Sequence, residues 1–369
     1  TTNVFNEIAE NEKLSEDIRN SIKEAYENLS SVSKVVVHDG RFPENSELER
    51  NIRNPSTKFI GCHLSHQIKE EWLKDSNIIA VSTSTMGFDH IGKVPGIIIT
   101  HTPSVLQNAV ADYCMALILS TLRNIPSLHE MAWSGSWKAG QKWDLDDSLS
   151  RSLDNQVLGI IGLGEIGTEL AKRVKPWNVK ILYYDIVRKE DLEQELGAEY
   201  REDMETVFEE ADIISLHMPL NQHTEGIIDK KILKKMKDNS LLVNTARGGV
   251  FNTSDLLDLL ESGEKKIHIA FDVHESEPIK PDLLDRYKKI SQKHPDLRII
   301  LAPHNASADA NTRGIMARML LEDIYWLVIS NTVEDLGKNR IISRQKKEMF
   351  EEGNISNYKI SQYWSDKKK

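Results

Sequence analysis

Three short runs in the sequence place a residue capable of ionic or acid–base chemistry among small neighbours, each directly after an apolar stretch. They are Asn244-Thr245-Ala246-Arg247-Gly248-Gly249, Asp272-Val273-His274-Glu275-Ser276-Glu277-Pro278 and Ala302-Pro303-His304-Asn305-Ala306-Ser307. Taken singly, each has a plain reading: a surface ion pair, a solvated acidic turn and a structural histidine. Together they fit one class of chemistry. Reduction of a carbonyl by hydride needs a cation to orient the substrate and a proton donor for the developing alkoxide. Arginine can fork onto a carboxylate, and histidine exchanges protons near neutral pH. A carboxylate bonded to the imidazole would favour its protonated form and fix its orientation.

A hydride donor must also be held, and the stretch from Val157 to Asp185 has the pattern for it. Val157 to Ile161 is an apolar run, the pattern of a buried parallel strand. Gly162, Gly164 and Gly167 follow at G-x-G-x-x-G spacing, and Thr168 to Val174 reads as a helix. Gly162 allows the tight turn, Gly164 lets backbone approach a pyrophosphate, and Gly167 lets the helix pack on the strand. The diphosphate would sit at the positive helix N-terminus. A second strand, Lys180 to Tyr184, ends in Asp185, whose carboxylate can accept from both ribose hydroxyls and would repel a 2′-phosphate. The glycine pattern is weak alone; strand, helix and acidic residue together make it a dinucleotide site. NAD(H) is therefore the preferred cofactor, with NADP(H) left open by Arg188 nearby.

These residues need a scaffold, and the chain shows alternating strands and helices. Val35 to Val37, Phe59 to Leu64, Ile78 to Ser82 and Gly96 to Thr100 read as strands, with helices at Ser46 to Ile52 and His66 to Lys74. An apolar helix, Ala109 to Arg123, suits a domain or subunit interface. Trp133, Trp137 and Trp143 read as aromatic anchors of a loop. Further strands fall at Ile213 to His217, Ser240 to Asn244, His268 to Phe271 and Arg298 to Leu301, giving six with the two above. Glu275 to Pro295 resembles a polar linker, and Ala308 to Val328 is a last long helix. The fold class is α/β, with two doubly wound domains. A dinucleotide-binding domain of the Rossmann type, 105–304, is inserted in a discontinuous flavodoxin-like substrate domain, 1–104 and 305–369. Residues 14 to 29 have helical spacing with Ser15 as N-cap, and 335 to 369 are expected to drape over the surface or fray.

Composition narrows the partners. A net charge of −10 and a pI near 5.7 disfavour nucleic acid, which wants a concentrated basic face. No apolar run reaches membrane-spanning length, and the polar N-terminal stretch has no signal-peptide core. Cys62 and Cys114 sit in apolar surroundings and read as buried free thiols, so a cytoplasmic setting is expected and no metal site is.

With these motifs in view the chain resembles the D-isomer-specific 2-hydroxyacid dehydrogenases, and among them the glyoxylate/hydroxypyruvate reductases. The resemblance runs from about residue 55 to 330 through S-T-S-T-M-G-F-D-H (82–90), T-P-S-V-L-Q-N-A-V-A-D (102–112), G-L-G-E-I-G (162–167), H-M-P-L-N-Q-H-T (217–224), L-L-V-N-T-A-R-G-G (241–249), D-V-H-E-S-E-P (272–278) and A-P-H-N-A-S-A (302–308). It implies NAD(H)-dependent, reversible reduction of a small 2-keto acid to a D-2-hydroxy acid by a homodimer. Arg247 would bind the substrate carboxylate and carbonyl, and His304 would be the acid–base paired with Glu277. Backbone N–H groups of Met86 and Gly87 would hold the carboxylate. Asp272 would meet the nicotinamide carboxamide and Thr245 would line that side. Glu165 and Ile166 would present backbone to the diphosphate, Asp185 would take the ribose, and Pro219 and Thr224 would flank the adenosine. The chain departs from the family pattern at Met86, Asp112, Glu165, Phe251-Asn252 and Asn305, which leaves the reaction class intact and the substrate open. The alternatives are 3-phosphoglycerate or a phosphonate analogue on the same fold, and an NAD-sensing protein resembling the family's transcriptional corepressors.

Overall fold

The structure, a computed structural model, describes residues 2–142 and 144–368. The chain divides into two compact units, Thr1–Leu106 with Ala308–Lys369, and Gln107–Ser307.

The second unit holds a seven-stranded parallel sheet. Its strands are β4 (Val157–Ile161), β5 (Lys180–Tyr184), β6 (Ala198–Tyr200), β7 (Ile213–Leu216), β8 (Ser240–Asn244), β9 (Ile267–Phe271) and β10 (Ile299–Leu301), and the first unit supplies β1 (Phe59–Cys62), β2 (Ala80–Thr83) and β3 (Ile98–Thr100). The second sheet runs β6-β5-β4-β7-β8-β9-β10, so the chain steps outward from β4 in one direction, returns, and steps outward in the other. That reversal between β4 and β7 is the topological switch point of a doubly wound sheet, where ligands meet strand carboxyl ends. The central strands are mostly apolar because helices cover both faces; all residues of β7, β8 and β9 are buried. The helix Glu165–Val174 buries Gly167, Leu170, Ala171 and Val174, one stripe at helical spacing. A Cβ on Gly167 would lie 2.4 Å from the Gly162 carbonyl oxygen, so only glycine permits this approach.

Six strands were expected here and there are seven; β6 is three residues long, too short to leave a pattern. The supposed linker 275–295 contains a helix, Pro281–Lys293, which buries Tyr287 and Ile290 one turn apart and ties Arg286 to Asp258 and Glu261. Its two apolar anchors are masked by a charged run. The helix Gln107–Leu122 sends Ala111, Cys114, Leu117, Ile118 and Leu122 into the second unit's own core, which accounts for its apolar face. Trp133 and Trp137 do not anchor a core: they are 81% and 64% exposed. Trp143 lies outside the described residues.

The first unit is built on the parallel sheet β1-β2-β3. Val35 to Val37 is not a strand. Beside it His38 bridges Thr2, while Val35 packs against the helical core. The helix Glu16–Val32 places Ile22, Ala25 and Leu29 on the long helix Ala310–Ile329. Ser15 precedes it without a side-chain cap; its own N–H goes to Asn311 Oδ1 instead. Residues 336–368 do not fray. Helices Ser343–Phe350 and Lys359–Lys367 bury Met349, Ile360 and Trp364 beside Ile79, Ile98 and Leu327. Gln345 accepts from Ile99 N–H and donates to Ile97 C=O, both at 2.8 Å, covering the backbone of edge strand β3.

Asp323 anchors that C-terminal segment, accepting from the Arg340 N–H at 3.0 Å while only 1% exposed. Burial pushes its carboxyl up to about 6 despite the Arg340 charge. A carboxyl whose pKa is higher folded than unfolded stabilises the fold at low pH, and that contribution is lost as pH rises through about 6. Asp323→Asn should therefore flatten the pH dependence of thermal stability between about pH 4 and 6. An unchanged pH slope in calorimetry would refute this.

Candidate active site

The sheet order turns the scattered motifs into one row. Asp185 follows β5, the glycine turn follows β4, and the Pro219 turn follows β7. Thr245 and Arg247 follow β8, Asp272 follows β9, and His304 follows β10. All strands are parallel, so these loops leave the same edge, on neighbouring strands about 4.8 Å apart. The expected site residues thus line one edge of the sheet, from Asp185 after β5 to His304 after β10.

The structure brings His304 and Glu277 together. His304 Nδ1 lies 2.7 Å from Glu277 Oε2, with the two side chains 24% and 34% exposed. Glu277 Oε1 also accepts from the His274 N–H at 3.1 Å. Burial works against the Glu277 charge, but the hydrogen bond and charge of His304, then the His274 N–H, outweigh it and hold the carboxyl below its usual range. With Nδ1 engaged, Nε2 is the ring nitrogen left for a substrate.

Asp272 does more than its motif foretold. It is fully buried, and its carboxylate accepts from the N–H groups of Asn305 at 2.7 Å and Ala306 at 2.8 Å. Its carbonyl accepts from His304 N–H at 2.7 Å. His304 itself has φ +53°, a left-handed conformation that a side-chain-bearing residue adopts only when its surroundings impose it. Asp272 supplies that constraint. Asn305, out of keeping with the family pattern, contributes a backbone N–H here. His274 adds a brace, its Nε2 lying 2.8 Å from the Ala302 carbonyl oxygen. Sequence inspection could not find these roles, because backbone donors thirty residues away leave no residue-type signal.

Arg247 is half-buried in extended conformation, beside the carbonyl of Ala246 and held by Asn244 Nδ2, which donates to the Arg247 carbonyl at 2.9 Å. Gly248 presses against the next loop: a Cβ there would stand 1.9 Å from the His274 carbonyl carbon. The arginine loop and the turn carrying Glu277 are thus in direct backbone contact. Thr245 is buried close to Cys114, whose thiol burial raises to about 11 against hydrogen bonds from Ser215 and Thr245.

At the other end of the row Gly162 has φ +96°, and a Cβ would meet the His217 backbone at 3.0 Å. A Cβ on Gly164 would meet nothing within 4 Å, leaving its backbone open to a ligand. The first N–H groups of the helix Glu165–Val174, including those of Glu165 and Ile166, have no carbonyl within the helix to bond. These features fit a diphosphate. Asp185 Oδ2 accepts from Leu163 N–H at 2.9 Å and Oδ1 from Val187 N–H at 3.2 Å, which fixes the carboxylate over the turn. Thr224 Oγ1 donates to the Pro219 carbonyl at 2.6 Å, tying those two residues into one turn. Met86 and Gly87 belong to the first unit, on the loop after β2, where the Met86 carbonyl oxygen lies 2.8 Å from His101 Nδ1. Of the other departures from the pattern, Asp112 pairs with Arg173 at 2.6 Å and Asn252 caps the helix Thr253–Ser262. Among the described residues no group of three His, Cys, Asp or Glu could hold a metal, and no helix is long and apolar enough to cross a membrane.

Glu165 places a negative side chain beside the glycine turn expected to take a diphosphate. Glu165→Arg is expected to tighten NADH binding roughly three- to tenfold at low ionic strength, with the gain shrinking as salt rises. Fluorescence titration at two salt concentrations measures this, and an unchanged Kd would refute the repulsion.

A family model described as "D-isomer specific 2-hydroxyacid dehydrogenase, NAD binding domain" matches residues 115–306. A glyoxylate reductase of Thermofilum pendens is 36% identical over 307 residues, covering 80% of this chain and 86% of that protein. One of Thermococcus litoralis is 36% identical over 267 residues, 71% of this chain and 77% of its own. Among solved structures, a glyoxylate reductase from Paecilomyes thermophila has a TM-score of 0.71 at 25% identity, covering 88% of this chain and 95% of that one. A D-lactate dehydrogenase from Aquifex aeolicus, complexed with NAD and lactic acid, has a TM-score of 0.69 at 25% identity over 88% and 96%.

Proposed function

The chain belongs to the D-isomer-specific 2-hydroxyacid dehydrogenase family, and we propose that it reduces small 2-keto acids such as glyoxylate or hydroxypyruvate with NADH, and reversibly oxidises D-2-hydroxy acids. It is an oxidoreductase that uses a nicotinamide cofactor. The observation that carries the substrate reading is the Glu277–His304 pair, held on the turns after β9 and β10, with Arg247 on the turn after neighbouring β8.

A bound dihydronicotinamide supplies the hydride. Arg247 forks onto the keto acid's carboxylate and polarises the C2 carbonyl. His304, protonated, gives its Nε2 proton to the alkoxide oxygen; in the reverse direction the neutral imidazole takes it back. Glu277 favours the imidazolium and sets the ring, while Asp272 fixes the backbone that carries it. Asp272 is also assigned the nicotinamide carboxamide, Thr245 the nicotinamide side, and Met86 and Gly87 the backbone N–H groups for the substrate carboxylate, all on the strength of their motifs. Gly162, Gly164, Glu165, Ile166 and Gly167 hold the diphosphate, and Pro219 and Thr224 flank the adenosine.

NADH is preferred over NADPH because Asp185 is anchored at the ribose position and would repel a 2′-phosphate. A homodimer is supported by apolar side chains left in water on the second unit: Ile125, Trp133, Trp137, Leu149 and Trp177 are all exposed. A monomeric mass by light scattering would overturn that part. The free, buried thiols of Cys62 and Cys114 are in keeping with a reducing, cytoplasmic setting. A panel of 2-keto acids assayed with NADH and NADPH tests the substrate and cofactor readings together. Turnover of glyoxylate or hydroxypyruvate with NADH is expected, and turnover of none would sink the proposal.

A further inference from the structure

The preference for NADH rests above on Asp185, yet three residues further on stands Arg188, the kind of cation that captures a 2′-phosphate. It is engaged elsewhere. Arg188 Nε donates to Glu193 Oε1 and Nη2 to Glu193 Oε2, both at 2.9 Å, a two-bond fork that uses the same donors a phosphate would need. The acceptor is held in turn. Tyr183 OH donates to Glu193 Oε1 at 2.6 Å, and Tyr183, buried on β5, accepts from Lys189 N–H at 2.9 Å. The guanidinium also lies 5.6 Å from the centre of the Tyr200 ring on β6. Glu193 sits in the helix Glu190–Leu196, so a residue on the element after the cofactor loop controls a cation within that loop. The Glu193 side chain is 16% exposed while that of Arg188 is 54% exposed: the carboxylate is the fixed partner and the arginine the one that could swing away.

We propose that Glu193 is a specificity-determining residue, which excludes NADPH by keeping Arg188 committed to an internal ion pair. The proposal deepens the NADH reading and rests on it for its meaning. Discrimination then has two parts: Asp185 repels a 2′-phosphate, and Glu193 withholds the cation that would compensate. The Arg188 and Tyr183 hydrogen bonds hold the Glu193 carboxyl down at about 2, so the pair persists across the whole working pH range.

The test compares kcat/KM for NADPH and NADH, with NADPH Kd by fluorescence titration, in the wild type, Glu193→Ala, Glu193→Gln, Arg188→Ala and the Glu193→Ala/Arg188→Ala double variant. Glu193→Ala should raise the NADPH-to-NADH ratio about tenfold, as one released arginine–phosphate fork would. Glu193→Gln should give a smaller gain, and the double variant should fall back to the ratio of Arg188→Ala. An unmoved ratio in Glu193→Ala overturns the proposal. So does an equal gain in the double variant, because the change would then not pass through Arg188. A wild type that prefers NADPH would overturn the NADH reading instead, and the dependence of the ratio on Glu193 and Arg188 would still decide the lock. Loss of activity with both cofactors in equal measure, from a loosened Tyr183 environment, leaves the ratio unmoved and counts against it.

Discussion

Replacing His304 is expected to lower kcat for keto-acid reduction by on the order of 10³-fold while NADH binding stays within about twofold of wild type. The reason lies in the geometry of the pair. Glu277 occupies Nδ1, so the proposed mechanism has Nε2 deliver the proton to the alkoxide. The choice of variant matters. At φ +53° an alanine would be strained and could disturb the loop, whereas asparagine tolerates the left-handed region. His304→Asn is therefore the cleaner test: it keeps the backbone and the Asp272 hydrogen bonds but has no comparable acid. Near-wild-type kcat/KM in this variant would show that the proton comes from elsewhere.

Arg247→Ala should be as damaging to kcat/KM, on the order of 10³-fold, with the loss divided between a raised KM for the keto acid and a reduced kcat. Arg247→Lys separates charge from shape. Lysine keeps the cation but not the planar fork, so only part of the activity should return. NADH affinity should survive in both, because the glycine turn lies two strands away, after β4. Full activity with lysine would mean that position 247 supplies only a field, and intact activity with alanine would remove it from the mechanism.

Much of this was legible in the sequence, and the parts that were not have physical causes. Gly162 and Gly167 were readable because each answers to a demand that only glycine meets, the φ of +96° at Gly162 and the 2.4 Å approach at Gly167. Arg247 and His304 stood out together rather than singly, because their runs follow apolar strands, and the sheet sets both at strand ends, after β8 and β10. The role of Asp272 toward Asn305 and Ala306 was not, since it is made with backbone donors. Nor was the Arg188–Glu193 fork, which in sequence is one of many charge pairs. The C-terminal helices were misjudged because few apolar residues, Met349, Ile360 and Trp364 among them, are spread through a strongly charged segment. Trp133 and Trp137 were misjudged in the opposite direction: large aromatics suggested a core, and the fold leaves them exposed.

The central claim is hydride transfer from the nicotinamide to C2 of a 2-keto acid, with the proton from His304. It is tested most directly by supplying glyoxylate with NADH carrying deuterium in its transferable position and examining the product by mass spectrometry and NMR. Glycolate bearing one deuterium at C2, formed in step with NADH consumption, is the predicted result. NADH that binds but is not consumed, or product without deuterium at C2, would contradict it.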